Sequence, residues 1–177
     1  FYVDALQADD LVADDALILW LNLARVLDEK LQNPTEAENA YLEALEIDPT
    51  EPRALEALDR IYADQARHAD LAAVLHRRIE GVYDEDEIVE LSFRLAGIYQ
   101  YHLEDPDQAV DTYQRVLDVR PTHDDSLQRL ERLHLEHQQW QELFDVLQRQ
   151  VENTHEPDVK IELFSRMANL AEEMLGR

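Results

Sequence analysis

Few side chains in this 177-residue chain have types and spacings that suit them to chemistry. His134 and His137 stand three apart with Glu136 between them. Two imidazoles at that spacing can share a metal ion, but a third ligand has to come from another element. Packing and solvent account for the pair, and no metal is expected. The other histidines, His68, His76, His102, His123 and His155, sit near turns or helix faces without partners in the sequence. Ser92, Ser126 and Ser165 fall inside helical patterns, not on the sharp strand-to-helix turn that exposes a nucleophile. The densest carboxylate run, Asp84-Glu85-Asp86-Glu87, lacks the alternating ligands and central glycine of a calcium loop. It reads as a solvated linker and a helix start, where acidic side chains suit the dipole. There is no His-Glu-x-x-His, no glycine-rich fingerprint and no phosphate loop. Catalysis and cofactor binding are not expected of this segment.

Arginine is the remaining chemistry. A guanidinium fork holds a carboxylate through two parallel hydrogen bonds, which lysine cannot reproduce. Arg94, Arg129 and Arg166 each directly precede an apolar residue of a helical stripe, Leu95, Leu130 and Met167. Arg25, Arg60 and Arg132 each follow Leu23, Leu58 or Leu130 by two. Residues three and four apart share a helical face, so both sets look the same way. The competing reading is local pairing, as in Glu56 before Arg60 and Glu90 before Arg94.

The elements that position these residues come from an internal repeat. Leu19 aligns with Leu91, and no gap is needed for 63 positions; eighteen are identical, including Ala24/Ala96, Pro34/Pro106, Ala37/Ala109, Tyr41/Tyr113, Pro49/Pro121 and Leu75/Leu147. Chance gives about one match in seventeen, so the 72-residue repeat is real. The copies run over about 19–90 and 91–162, with a partial third over 163–177, all within one domain. Each full copy reads as four helices: Leu19, Leu23, Val26 and Leu27; Ala37, Tyr41, Ala44 and Leu45; Leu55, Leu58, Ile61 and Tyr62; Leu71, Val74, Leu75 and Ile79. Asp48-Pro49 closes the second, because proline disfavours helix in the residue before it. The expected fold is all-α, built of antiparallel pairs, with Leu23, Tyr41, Leu58, Leu75, Leu95, Tyr113, Leu130 and Leu147 in the core.

Half of each copy resembles a tetratricopeptide repeat. Trp20-Leu21-Asn22-Leu23-Ala24, then Leu27, Ala37, Tyr41, Ala44 and Asp48-Pro49 follow that pattern with one extra residue between the helices; Leu95-Ala96, Tyr99, Ala109, Tyr113, Val116 and Pro121 repeat it. The other half is a looser relative, with Leu58, Tyr62, Ala66, Leu71 and Leu75 matching Leu130, His134, Gln138, Leu143 and Leu147. The family's glycine is replaced by Ala24, Asp59, Ala96 and Glu131, and the stretch between Glu80 and Glu90 is about three residues longer than the pattern. The resemblance implies a right-handed α-solenoid whose first helices line a concave groove. Arg25, Arg60, Arg94, Arg129, Arg132 and Arg166 would then face that groove, with Phe93 and Tyr101 on or beside it. Asn22 and Arg94 fall at positions of the kinds used by the family's two-carboxylate clamp, but Leu21, Arg25, Ala57 and Glu90 depart from its residue set, so the clamp is not carried over.

Composition sets the class of partner. Forty acidic residues against 16 basic give −24, which disfavours non-specific nucleic-acid and anionic-membrane binding. With only Lys30 and Lys160 as lysines, the surface also suits solubility at high salt. Three glycines and six prolines argue against a sandwich or barrel, and the lack of cysteine removes disulfides and fits a cytoplasmic home. The run Ala16 to Leu21 is too short to span a bilayer. The start at Phe1-Tyr2-Val3-Asp4 reads as an excerpt of a longer chain.

The expectation is therefore a non-catalytic scaffold that binds a protein or peptide, acidic or carboxylate-bearing, along the groove. A structural spacer and a regulatory arm of a larger protein are the alternatives. Apolar residues at the ends, Phe1, Tyr2 and Leu6, and Phe164, Met167, Leu170 and Met174, point to end-to-end self-association.

Overall fold

The computed structural model describes residues 12–174. The chain forms two compact units, Phe1–Tyr83 and Asp84–Arg177. All regular structure among the described residues is helical.

Unit 1 holds two helix pairs. Helix α1 (Ala13–Arg25) runs into a π-helical turn (Val26–Lys30) and pairs with α2 (Pro34–Ile47); α3 (Pro52–Asp64) pairs with α4 (His68–Gly81). Unit 2 holds α5 (Glu85–Tyr101) with α6 (Pro106–Val119), α7 (Asp124–Glu136) with α8 (Trp140–Asn153), and α9 (Pro157–Glu173), a first helix packed on α8. Within each unit the second helix of one pair also packs on the first helix of the next.

The helix starts follow from sequence. Proline stands at the first position of α2, α3, α6 and α9, where its missing N–H costs nothing. Asn33, Asp84 and Asp105 accept backbone N–H bonds from Glu36, Glu87 and Gln108 at 3.3, 3.0 and 3.0 Å. The acidic run 84–87 is thus a helix start, and Asp86 is further tied to Arg120.

The extra residue between paired helices is absorbed by widening the last turn. Leu31 donates to the Val26 carbonyl and Leu103 to that of Ile98, both spanning five residues. The longer stretch before Glu90 becomes additional helix, since α5 has 17 residues against 13 in α3 and α7. Four non-glycine residues take positive φ, Gln32 (49°), Ala66 (54°), Glu104 (52°) and Gln138 (55°), one in the turn of each pair. After α3 and α7 this is a Schellman-type close: the N–H of Arg67 reaches the Tyr62 carbonyl at 2.9 Å, and that of Gln139 the His134 carbonyl at 2.8 Å.

Seven of the eight expected core residues are buried: Tyr41, Leu58, Leu75, Leu95, Tyr113, Leu130 and Leu147. Leu23 is only half-buried; α1 buries Leu21 and Ala24 instead, and the turn after it buries Leu27. In unit 2, Tyr113, Leu117, Leu127, Leu130 and Leu133 close around Ala96 and Ala109, both fully covered. A second cluster joins Leu143, Leu147 and Val151 to Leu163 and Leu170 of α9. The expected carboxyl-end stripe therefore splits: Leu170 is buried and Met167 packs against that cluster, while Phe164 and Met174, with Ile161, face solvent. Phe1, Tyr2 and Leu6 lie outside the described residues.

At the family's glycine position, Asp59 and Glu131 are accommodated by side chains on the paired second helix. Arg78 of α4 pairs with buried Asp59. Gln150 of α8, at the equivalent place, donates to Glu131 at 2.9 Å.

Candidate functional site

Three arginines on first helices reach back to the preceding first helix. Arg60 on α3 pairs with Asp28 in the turn that continues α1, and lies 3.8 Å from Asp64. Arg129 on α7 bonds the hydroxyl of Tyr101 on α5, its guanidinium carbon 5.4 Å from the ring centre. Arg166 on α9 pairs with Glu131 on α7. The expected couple of Glu56 with Arg60 does not form; the arginine crosses between helices instead. Arg132 does pair along its own helix, with Glu136 at 2.7 Å.

The eight residues singled out from sequence divide between the units. Arg25 and Arg60 line one cleft in unit 1. Unit 2 carries Phe93, Arg94, Tyr101, Arg129, Arg132 and Arg166. Of these, Arg129 and Tyr101 are in direct contact, and Arg132 is close enough to feel the Tyr101 phenol. Arg94 is exposed on α5. Phe93 is half-buried, its ring 5.5 Å from that of Tyr113 and 5.1 Å from that of His123, so it packs as much as it presents. Tyr101 is 48% exposed. Glu136 bonded to Arg132, with Tyr101 nearby, raises the arginine's pKa still further, and the group is a permanent cation.

Three features were missed from sequence. Leu135 is 53% exposed, three residues after Arg132 on the same helix. Arg166 lines a cleft of about 580 Å³ with Gln128, Gln150, Asn153 and His155, where α7, the end of α8 and the start of α9 meet. In unit 1, a cleft of about 630 Å³ between α1 and α3 is lined by Asn22, Arg25, Glu29, Tyr41 and Glu56. The helical spacing of Asn22, Arg25 and Glu29 was a signal for the last of these; the side-chain reach that shapes the other cleft left none.

Several of the histidines and serines have structural roles. His134 is buried, with Nδ1 2.7 Å from the Gln139 side-chain oxygen. His123 caps α7, accepting the Ser126 N–H at 3.2 Å, and Ser126 is fully buried. Ser165 donates to the Ile161 carbonyl. Among the described residues there is no group of three or more side chains placed to hold a metal ion, and no helix is long and apolar enough to cross a membrane.

Two family models, each described as tetratricopeptide repeat, match residues 18–51 and 91–125. These are the first pair of each unit. No curated protein matches the chain in sequence. Among solved structures, YrrB, described as a TPR protein with an unusual peptide-binding site, is similar over 98% of this chain and 94% of its own, at 14% identity and TM-score 0.51. A MamA protein is similar over 92% and 96%, also at 14% identity, with TM-score 0.52. At such identities the likeness is one of fold. The two matching models, the helix pairs, and the packing residues Ala24, Ala37, Tyr41 and their repeats show a TPR-like helical-repeat protein with tetratricopeptide repeats at residues 18–51 and 91–125.

Proposed function

We propose that the chain is a non-catalytic protein-interaction scaffold, and that the first-helix face of unit 2 holds an extended peptide bearing Asp, Glu or a free carboxylate. The observation that carries this reading is the cationic and apolar set on that face: Arg94 exposed on α5, Arg129 stacked near exposed Tyr101, and Arg132 followed by exposed Leu135. Arg129 spends one donor on the Tyr101 hydroxyl, and a guanidinium has five. Elsewhere the −24 surface repels an acidic ligand, which favours this face.

The test is titration of a capped peptide of alternating Asp and Leu against the full chain and against a variant with Arg94, Arg129 and Arg166 changed to Ala. Affinity is expected to fall at least tenfold in the variant, and to weaken with salt in the parent. Equal affinity for both proteins overturns the reading.

A second reading is an assembly element that associates through its carboxyl end. It is favoured by Ile161 and Phe164, which are 65% and 55% exposed on α9. Sedimentation of the parent beside Phe164→Ser tests it, with self-association weakened by the substitution.

A further inference from the structure

The cleft of unit 1 differs from its counterpart in unit 2 in what it leaves unused. Tyr113 donates its hydroxyl to the Gln100 side chain at 3.0 Å. In unit 1 the place of Gln100 is taken by Asp28, and Arg60 engages it. The Tyr41 ring is buried, and its hydroxyl has no hydrogen-bond partner among the described residues. Arg25, exposed at the end of α1, likewise makes no ion pair among them, whereas Arg53 and Arg60 are held by Glu51 and Asp28. The side chain of half-buried Asn22 and the exposed carboxylates of Glu29 and Glu56 are also without such partners among them. All five line one cleft of about 630 Å³.

We propose that this cleft is a peptide subsite for an acidic residue next to a basic one, with the carboxylate received by Arg25, Asn22 and the Tyr41 hydroxyl and the cation by Glu29 and Glu56. The donor set suits a carboxylate, since a guanidinium fork, an amide NH₂ and a phenolic O–H all donate to its oxygens. Burial, then the neighbouring Asp28 carboxylate, raises the Tyr41 pKa, so its hydroxyl keeps the proton it would donate. A purely acidic segment would meet Glu29 and Glu56 at close range, and a purely basic one would meet Arg25. A residue pair of opposite sign satisfies both ends. This selectivity is unlike that of unit 2, where Glu131 and Glu136 are already neutralised by Arg166 and Arg132.

The proposal rests on the scaffold reading in taking a peptide as ligand, but it uses none of the unit 2 residues. The test uses the full chain and a capped hexapeptide with adjacent Asp and Lys between two leucines, followed by NMR at the Asn22 side-chain amide and by calorimetry. Two analogues replace Asp by Asn and Lys by norleucine. With the parent protein each analogue should bind about tenfold more weakly, the scale of one charge-assisted hydrogen bond. Arg25→Gln should no longer distinguish Asp from Asn, and Glu56→Gln should no longer distinguish Lys from norleucine. Tyr41→Phe should weaken the Asp peptide while leaving folding unchanged.

An unmoved Asn22 amide overturns the proposal, as does an Arg25→Gln protein that still prefers Asp as the parent does. The triple arginine variant of unit 2 separates the two readings. If it loses hexapeptide binding while Arg25→Gln keeps it, the unit 2 site stands and the unit 1 subsite falls. If it keeps the binding that Arg25→Gln loses, the subsite stands.

Discussion

Asp59 and Arg78 show how one side chain can turn a family departure into a requirement. Asp59 stands where helix approach would favour a small residue, and it is buried. Arg78→Ala removes the guanidinium that pairs with that buried carboxylate, and is expected to destabilise unit 1 by about 3 kcal/mol in urea unfolding. The tyrosine pair gives a finer contrast. Tyr113→Phe loses the bond to Gln100 and should cost about 1 kcal/mol; Tyr41→Phe should cost close to nothing. The sequence makes Tyr41 and Tyr113 look identical. Their hydroxyls differ because Asp28 and Gln100, thirteen residues earlier in each copy, differ in charge and so in what claims them. The same reason hid the reach of the first-helix arginines. Spacing gives the helix that carries Arg60, Arg129 and Arg166, but a side chain with four rotatable bonds picks its partner in space, and the partners lie 28 to 35 residues away.

At the level of elements, helix positions were legible because proline, caps and apolar spacing act locally, whereas the turns were not. Gln32, Ala66, Glu104 and Gln138 carry no sign of positive φ, since glycine is the usual occupant of such places. A non-glycine residue in that region is strained by about 1–2 kcal/mol, partly offset by the greater freedom glycine has when unfolded. Ala66→Gly and Gln138→Gly should each therefore raise stability by about 0.5 kcal/mol, seen as a higher unfolding midpoint of the corresponding unit. No change, or a lower midpoint, would mean that the Schellman close does not hold these residues under strain.

For the molecule as a whole, charge and alkaline pH are the informative variables. At −24, self-repulsion opposes compactness, and added salt should raise thermal stability despite weakening the surface ion pairs. Loss of stability with salt would mean that the bridges outweigh the repulsion. Burial pushes the phenols of Tyr62 and Tyr113 up to about 12, one in each unit. A raised folded-state pKa means that the stability is complete below the unfolded value near 10 and is lost as pH rises towards 12. Each phenol contributes on the order of 2 kcal/mol across that window. Phenolate absorbance and helical circular dichroism should therefore change together between pH 10 and 12, and separate transitions would show that the phenols ionise within intact helices.

The uneven packing of α9 also sets an order of opening. Inner helices such as α6 and α7 are gripped on two sides, whereas α9 leans on α8 through Leu163 and Leu170 and leaves Ile161 and Phe164 in water. A stack joined mainly by neighbour contacts loosens from its less gripped member. In deuterium, the amides of α9 should exchange first, α8 next and α6 and α7 last. Any molecule that covers Ile161 and Phe164 would then betray itself, without being identified, by slowing the clock at that end.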